Sequence, residues 1–149
     1  VARQLGKHQV GLVWNEVSRR YVSDDPEMWV PEEWRKASED KKQGSSDELV
    51  MSQQIVGGKY KDAIWECFQV YKSLLDLKVC EEQARAVLPQ STMTEWYWSG
   101  SIAAFARVCK LRLAEDTQLE TRIIAQEMNS LLKKQFPISW NALINQQEV

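Results

Sequence analysis

Histidine and cysteine are scarce in this sequence, which has one histidine and three cysteines among its 149 residues. Cys67, Cys80 and Cys109 are widely spaced and form no CxxC pair, so they do not match a structural zinc site, and we predict no bound metal. An odd, scattered set of cysteines is typical of buried free thiols in a reducing compartment. We therefore predict a cytoplasmic protein.

Long apolar runs are also absent, because charged residues interrupt every apolar stretch within a few positions. No window of about 20 residues is apolar enough to span a membrane. Apolar residues make up 44% and charged residues 27%, values of a soluble globular protein with one hydrophobic core. The formal net charge of -2 disfavours a nonspecific grip on nucleic acid, but a local arginine cluster can still hold one phosphate.

Apolar spacing of three and four residues predicts helices at 60–77 and 115–135. Acids in the first turn and Pro89 after the last favour a short helix at 81–88. The break Ser99-Gly100-Ser101 favours another helix at 102–113. Aromatic and β-branched residues favour strands or extended loops at 12–21 and 92–98. Prolines, acids and small polar residues at 23–46 indicate a surface loop or insert. Ser101 and Ser139 are candidate N-caps. We predict an α+β fold, a helix-rich single domain with a small mixed or antiparallel sheet.

The segment from Arg3 to Tyr21 concentrates cations, amides, a hydroxyl and a carboxylate, a mixture that suits a nucleotide. Arg20 can form a charge-assisted fork on a phosphate, and Ser18 can donate its hydroxyl proton to the same group. A charged surface turn is the more common explanation of such a composition. His8 stands alone, and a lone histidine is more often a hydrogen-bonding residue than a proton shuttle.

Two further features have a functional and a structural interpretation. Arg112 lies near the C-terminal end of a predicted helix, where the helix dipole alone favours an arginine. Trp96, Tyr97 and Trp98 can stack on a ring, although aromatic residues in a strand more often belong to the core or to a subunit interface. From these residues alone, the prediction stops at a site for an anionic ligand.

Two blocks of motifs favour the functional interpretation over the structural one. The first reads Arg3-Gln4-Leu5-Gly6-Lys7-His8-Gln9 and then Asn15-Glu16-Val17-Ser18-Arg19-Arg20-Tyr21. The second contains Ala84-Arg85, Leu88-Pro89, Thr94, Trp96-Tyr97-Trp98, Leu111-Arg112 and Gln118-Leu119-Glu120. In order and spacing they resemble the flavin-dependent thymidylate synthase family, whose signature reads approximately Arg-Gln-Trp, Arg-His-Arg and Asn-Glu-x-Ser-x-Arg-Tyr.

The resemblance implies reductive methylation of dUMP to dTMP, with methylenetetrahydrofolate as carbon donor, FAD as hydride carrier and NADPH as reductant. It also implies a homotetramer with shared active sites, and it gives Arg112 the catalytic role of activating the pyrimidine. The implied dUMP contacts are Gln4, Lys7, Glu16, Ser18, Arg20 and Arg112. The implied FAD contacts are Lys7, His8, Gln9, Glu16, Ser101 and Arg107.

The chain departs from the family pattern at several of these positions. Lys7 keeps the charge of the signature arginine without its planar fork, and Gln9 loses the charge altogether. Glu95 stands where some members have an arginine for phosphate. A catalytically silent nucleotide- or partner-binding relative with the same fold is therefore the alternative. The family has a further segment before the position of Val1, so we expect an N-terminally truncated member. We expect these 149 residues alone to bind FAD weakly or not at all, and the full-length chain to be the active species.

Overall fold

The computed structural model describes residues 1–21, 24–39 and 45–145. Strand β1 (Leu12–Glu16) pairs with β4 (Trp96–Gly100), and strand β2 (Arg35–Ala37) pairs with β3 (Ser45–Leu49). The strands thus form two antiparallel two-stranded sheets within a helix-rich α+β fold, which confirms the predicted class. A short 3-10 helix, Arg85–Val87, follows α3. The elements are α1 Ala2–Leu5, β1 Leu12–Glu16, β2 Arg35–Ala37, β3 Ser45–Leu49, α2 Gln53–Asp76, α3 Glu81–Ala84, β4 Trp96–Gly100, α4 Ile102–Arg112, α5 Leu119–Gln135 and α6 Pro137–Ile144.

The chain divides into two compact units. The first unit holds the described residues of 1–15, 37–46 and 96–149, and the second unit holds those of 16–36 and 47–95. Helices α4, α5 and α6 belong to the first unit, whereas α2 and α3 belong to the second. The expectation of one single domain stays a prediction.

The core of the first unit forms where α4 packs against α5 and α6. Ala106 and Cys109 of α4 are buried against Trp140 of α6, which is only 1% exposed. The indole Nε1 of Trp140 donates to Oδ1 of Asn129 on α5 at 2.8 Å, so the buried polar atom of the ring is satisfied. Trp140 thus joins the three helices through both its apolar surface and its one donor.

The start of α4 is fixed by a serine and by a close approach of two strands. The Oγ of Ser101 accepts the N–H of Ala104 at 3.2 Å, which confirms the predicted N-cap. At the preceding Gly100, a Cβ atom would collide with the backbone carbonyl oxygen of Gly11, so only glycine allows this close approach of the two chain segments. Helix α4 ends at Arg112.

Some elements differ from their predicted bounds. Helix α2 begins at Gln53 rather than at residue 60, because the side chain of Gln53 bonds both the N–H and the carbonyl of Trp34 at 2.8 Å and so anchors the first turn. Strand β2 lies inside the predicted loop 23–46, of which Ser23 and residues 40–44 lie outside the described residues. The prediction for Ser139 is wrong, because α6 already begins at Pro137.

The three cysteines are free thiols with different surroundings. Cys109 is buried, and burial raises the pKa of its thiol to about 11. Cys67 is half-buried and Cys80 is exposed, so the expectation of buried thiols is wrong for Cys80. Over the described ranges, no helix is long and apolar enough to cross a membrane, and no group of three His, Cys, Asp or Glu side chains is placed to hold a metal ion.

Candidate functional site

Arg112 is held in the first unit by two acceptors from the N-terminal residues. Its Nε donates to Nε2 of His8 at 2.9 Å, and its Nη2 donates to the backbone carbonyl of Gln4 at 3.3 Å. Burial lowers the pKa of the Arg112 guanidinium from its ordinary value. The structure therefore brings together three of the residues that the sequence predicted for the site.

The bond from Arg112 defines the state of the His8 ring. The bond requires an acceptor at Nε2, which only a neutral imidazole with its proton on Nδ1 provides. Burial lowers the pKa of His8 from its ordinary value of 6.5, and the positive charge of Arg112 lowers it further. The indole of Trp98 lies beside the imidazole, with the ring centroids 6.5 Å apart. His8 is thus a hydrogen-bonding residue.

A cavity of about 580 Å³ lies beside His8 in the first unit. Its volume is within the range of about 300–1,000 Å³ that is typical of small-molecule sites. Its wall combines cationic and apolar side chains without a carboxylate among the described lining residues, so it suits an anionic ligand that has an apolar part. The lining residues are Lys7, His8, Gln9, Val10, Leu12, Ala104, Arg107, Lys110 and Leu111.

Four residues assigned to flavin by the resemblance, Lys7, His8, Gln9 and Arg107, line this cavity. The Nη2 of Arg107 donates to the carbonyl of Val10 at 2.9 Å, which anchors its guanidinium at the cavity wall. Ser101 is not among the lining residues, and its hydroxyl caps α4.

Sequence reasoning missed five residues of the cavity wall, three of which are the apolar Val10, Leu12 and Ala104. The other two are Lys110 and Leu111 of α4. They follow Arg107 by three and four positions in α4, and residues at this spacing share one face of a helix. Once Arg107 was singled out, the helical period was the signal that pointed to both. The prediction therefore had the right helix face but named only one of its residues.

The remaining predicted site residues, Glu16, Ser18 and Arg20, belong to the second unit. Nε of Arg20 donates to Oγ of Ser18 at 3.0 Å, and the Arg20 backbone N–H points to the same oxygen at 3.4 Å. The guanidinium and the hydroxyl therefore lie side by side, an arrangement that suits a phosphate. Glu16 accepts a hydrogen bond at 2.5 Å from Thr94, a residue of the second motif block that was given no role in the site.

The aromatic motif of β4 packs largely inside the first unit. Trp96 stacks on Trp14 with the ring centroids 4.2 Å apart, and Trp98 meets Phe105 edge to face at 5.5 Å. Tyr97 is instead 72% exposed, so the alternation of the strand separates a core face from a solvent face. The packing favours the core interpretation for both tryptophans.

Acidification is expected to destabilise the folded chain through His8. Its pKa is lower in the folded chain than the ordinary 6.5, so the unfolded chain binds more protons between these two values. The stabilising contribution is complete above pH 6.5 and is lost as the pH falls towards the lowered pKa. Urea denaturation at several pH values in this window measures the free energy of unfolding, which should depend less on pH in His8→Gln than in the unchanged protein. An equal pH dependence in the two proteins contradicts the lowered pKa of His8.

The family model described as thymidylate synthase complementing protein matches residues 1–138 of the chain. The flavin-dependent thymidylate synthase of Thermus thermophilus is 34% identical over 142 residues, which are 95% of this chain and 52% of that protein. The enzyme of the same name from Kosmotoga olearia is 32% identical over 148 residues, 97% of this chain and 63% of that protein. The chain thus spans between about half and two thirds of the length of these relatives.

Among solved structures, the chain is similar to the UMP/dUMP methylase PolB from Streptomyces cacaoi bound with 5-Br UMP. The TM-score is 0.83 at 26% sequence identity, and the match covers 95% of this chain and 67% of that chain. The same methylase bound with 5-Br dUMP gives a TM-score of 0.81.

Proposed function

We propose that this chain, which belongs to the thymidylate synthase complementing protein family, is part of a flavin-dependent enzyme that methylates dUMP to dTMP. The observation that carries the proposal is the guanidinium of Arg112, held by His8 and Gln4 in the unit that contains the cationic cavity. The names of the similar proteins support it, since they are thymidylate synthases and a UMP/dUMP methylase.

In this proposal Arg112 is the catalytic residue. Its Nε and Nη2 bond to the protein, so Nη1 remains on the far side of the planar group to donate to the uracil. A fixed guanidinium beside O2 and N3 stabilises negative charge on the pyrimidine as it is activated, without a cysteine nucleophile. Because the guanidinium of Arg112 is already oriented before the reaction begins, no free energy is needed to orient it as the charge develops.

The phosphate of dUMP is assigned to Ser18 and Arg20, whose hydroxyl and guanidinium lie side by side. Ser18 binds the phosphate and does not attack carbon. Glu16 is assigned to the nucleotide together with Gln4 and Lys7, and Thr94 fixes the orientation of its carboxylate.

The residues of the cavity fit a flavin dinucleotide. Lys7, Arg107 and Lys110 bring positive charge to the wall, which suits a diphosphate, while Leu12 and Leu111 give an apolar surface for a ring. Gln9 brings no charge to this wall, whereas the guanidinium of Arg107 brings a positive charge. When bound, FAD supplies hydride transfer. NADPH as reductant, methylenetetrahydrofolate as carbon donor, a homotetramer and a cytoplasmic location complete the proposal.

Replacing Arg20 with alanine tests the phosphate assignment. A hydrogen bond to a charged group contributes about 1.5–3 kcal/mol, so Arg20→Ala is expected to weaken dUMP binding roughly 10- to 100-fold. Deoxyuridine, which lacks the phosphate, should bind both proteins alike. Calorimetric titration of the protein with the two ligands measures the difference.

The matched control is Arg19→Ala, because Arg19 donates to the carbonyl of Asp24 at 2.6 Å rather than to Ser18. Its dUMP affinity should stay close to that of the unchanged protein. An unaltered affinity in Arg20→Ala, or an equal loss in Arg19→Ala, argues against a phosphate site at Ser18 and Arg20.

A further inference from the structure

Of the two acceptors that hold the guanidinium of Arg112, His8 makes the shorter bond. Arginine is a long, flexible side chain, and Arg112 is the last residue of α4. Of its two bonds, the one to the Gln4 carbonyl is long at 3.3 Å, while the one to His8 is 2.9 Å and acts on Nε, the nitrogen nearest the stem. A bond at Nε fixes the plane of the group, so His8 determines where Nη1 points.

Only one form of His8 can make this bond. A protonated imidazole has donors at both nitrogens and no acceptor, and the other neutral tautomer carries a hydrogen at Nε2. The charged groups that line the cavity with His8 are the cations Lys7, Arg107 and Lys110, and the neighbouring elements α1 and β4 present the Gln4 carbonyl and the Trp98 ring. Among the described residues, these surroundings favour the neutral ring.

We infer that His8 is a positioning residue for Arg112, which it orients only as a neutral imidazole protonated at Nδ1. The inference deepens the proposed function, on which it rests, because it names the residue that aims the catalytic guanidinium at the uridylate. If His8 loses its acceptor, by protonation or by substitution, Arg112 keeps its charge but its guanidinium is no longer held in the orientation that faces the uracil.

The single histidine of the chain makes the state of the ring directly measurable. In the 15N-labelled protein, two-bond 1H–15N spectra distinguish the two neutral tautomers and the protonated ring. The expected result at neutral pH is the Nδ1–H tautomer. Arg112→Met removes the donor, so His8 should shift towards the Nε2–H tautomer and its pKa should rise.

The matched control is Arg107→Met, which removes another cation of the cavity wall whose Nη2 donates to the Val10 carbonyl. It should leave the tautomer of His8 unchanged. An Nε2–H tautomer in the unchanged protein overturns the inference, and so does a tautomer that responds equally to both substitutions.

Ligand affinity gives a second readout, with two variants of His8. The carbonyl of His8→Gln can accept from Arg112, whereas His8→Leu offers no acceptor. We expect dUMP affinity to fall about tenfold in His8→Leu and to stay within about threefold in His8→Gln. Equal losses in both variants overturn the positioning role. If the unchanged protein does not bind dUMP, the proposed function fails, and the tautomer measurement still decides the role of His8.

Discussion

Replacing Arg112 with alanine is expected to lower the rate of dUMP methylation roughly 100- to 1000-fold, the effect of removing one donor that stabilises charge in the transition state. The enzyme that contains this chain should stay folded and retain flavin after the substitution, because Arg112 is not one of the residues that line the cavity. Single-turnover measurements with saturating dUMP isolate the chemical step from binding.

A matched control exists in α5. Arg122 donates to the carbonyl of Glu115 at 3.1 Å and does not line the cavity, so Arg122→Ala should leave the rate unchanged. An unchanged rate in Arg112→Ala rejects the catalytic role. A rate loss that adding flavin restores points instead to a defect of cofactor binding.

Replacing Trp140 with alanine is expected to lower the free energy of unfolding by about 3–5 kcal/mol. The indole is 1% exposed and packs on Ala106 and Cys109, so its loss leaves a cavity at the junction of three helices. The substitution also removes the donor that satisfies Asn129. Urea denaturation measures the change.

An exposed tryptophan gives the comparison for this effect. Trp65 on α2 is 64% exposed, so Trp65→Ala deletes the same side chain with little burial lost, and its effect should stay within about 1 kcal/mol. Similar losses in both variants contradict the assignment of Trp140 to the core.

Local patterns predicted the elements that carry the site. The break at Ser99, Gly100 and Ser101 followed by apolar residues identified α4, and the structure confirms its start and places its last residue one position before the predicted end. The order of the two motif blocks led to the family, which the comparisons confirm. These signals are carried by residues close together in the chain, which is why the sequence reveals them.

Contacts between residues that are far apart in the chain could not be predicted from local sequence patterns. The bond between His8 and Arg112 joins residues 104 positions apart, and no local pattern indicates which nitrogen of the imidazole accepts it. In α5, the apolar stripe was predicted correctly as helical, yet Leu131 is 62% exposed while Thr121 and Ala125 are fully buried. Periodicity gives the face of a helix, whereas the neighbouring helices decide which part of it is covered.

The hydrogen at C5 of the uracil gives the most direct measurement of the proposed function, because it must leave when a methyl group takes its place. The protein is incubated with dUMP tritiated at C5, FAD, NADPH and methylenetetrahydrofolate, and the tritium in water is counted together with the dTMP formed. We predict that tritiated water and dTMP are formed in equal amounts. When deoxyuridine tritiated at C5 replaces dUMP, we predict no release of tritium and no methylated product. Protein that binds dUMP and flavin but releases no tritium contradicts the proposal and favours a catalytically silent nucleotide-binding relative.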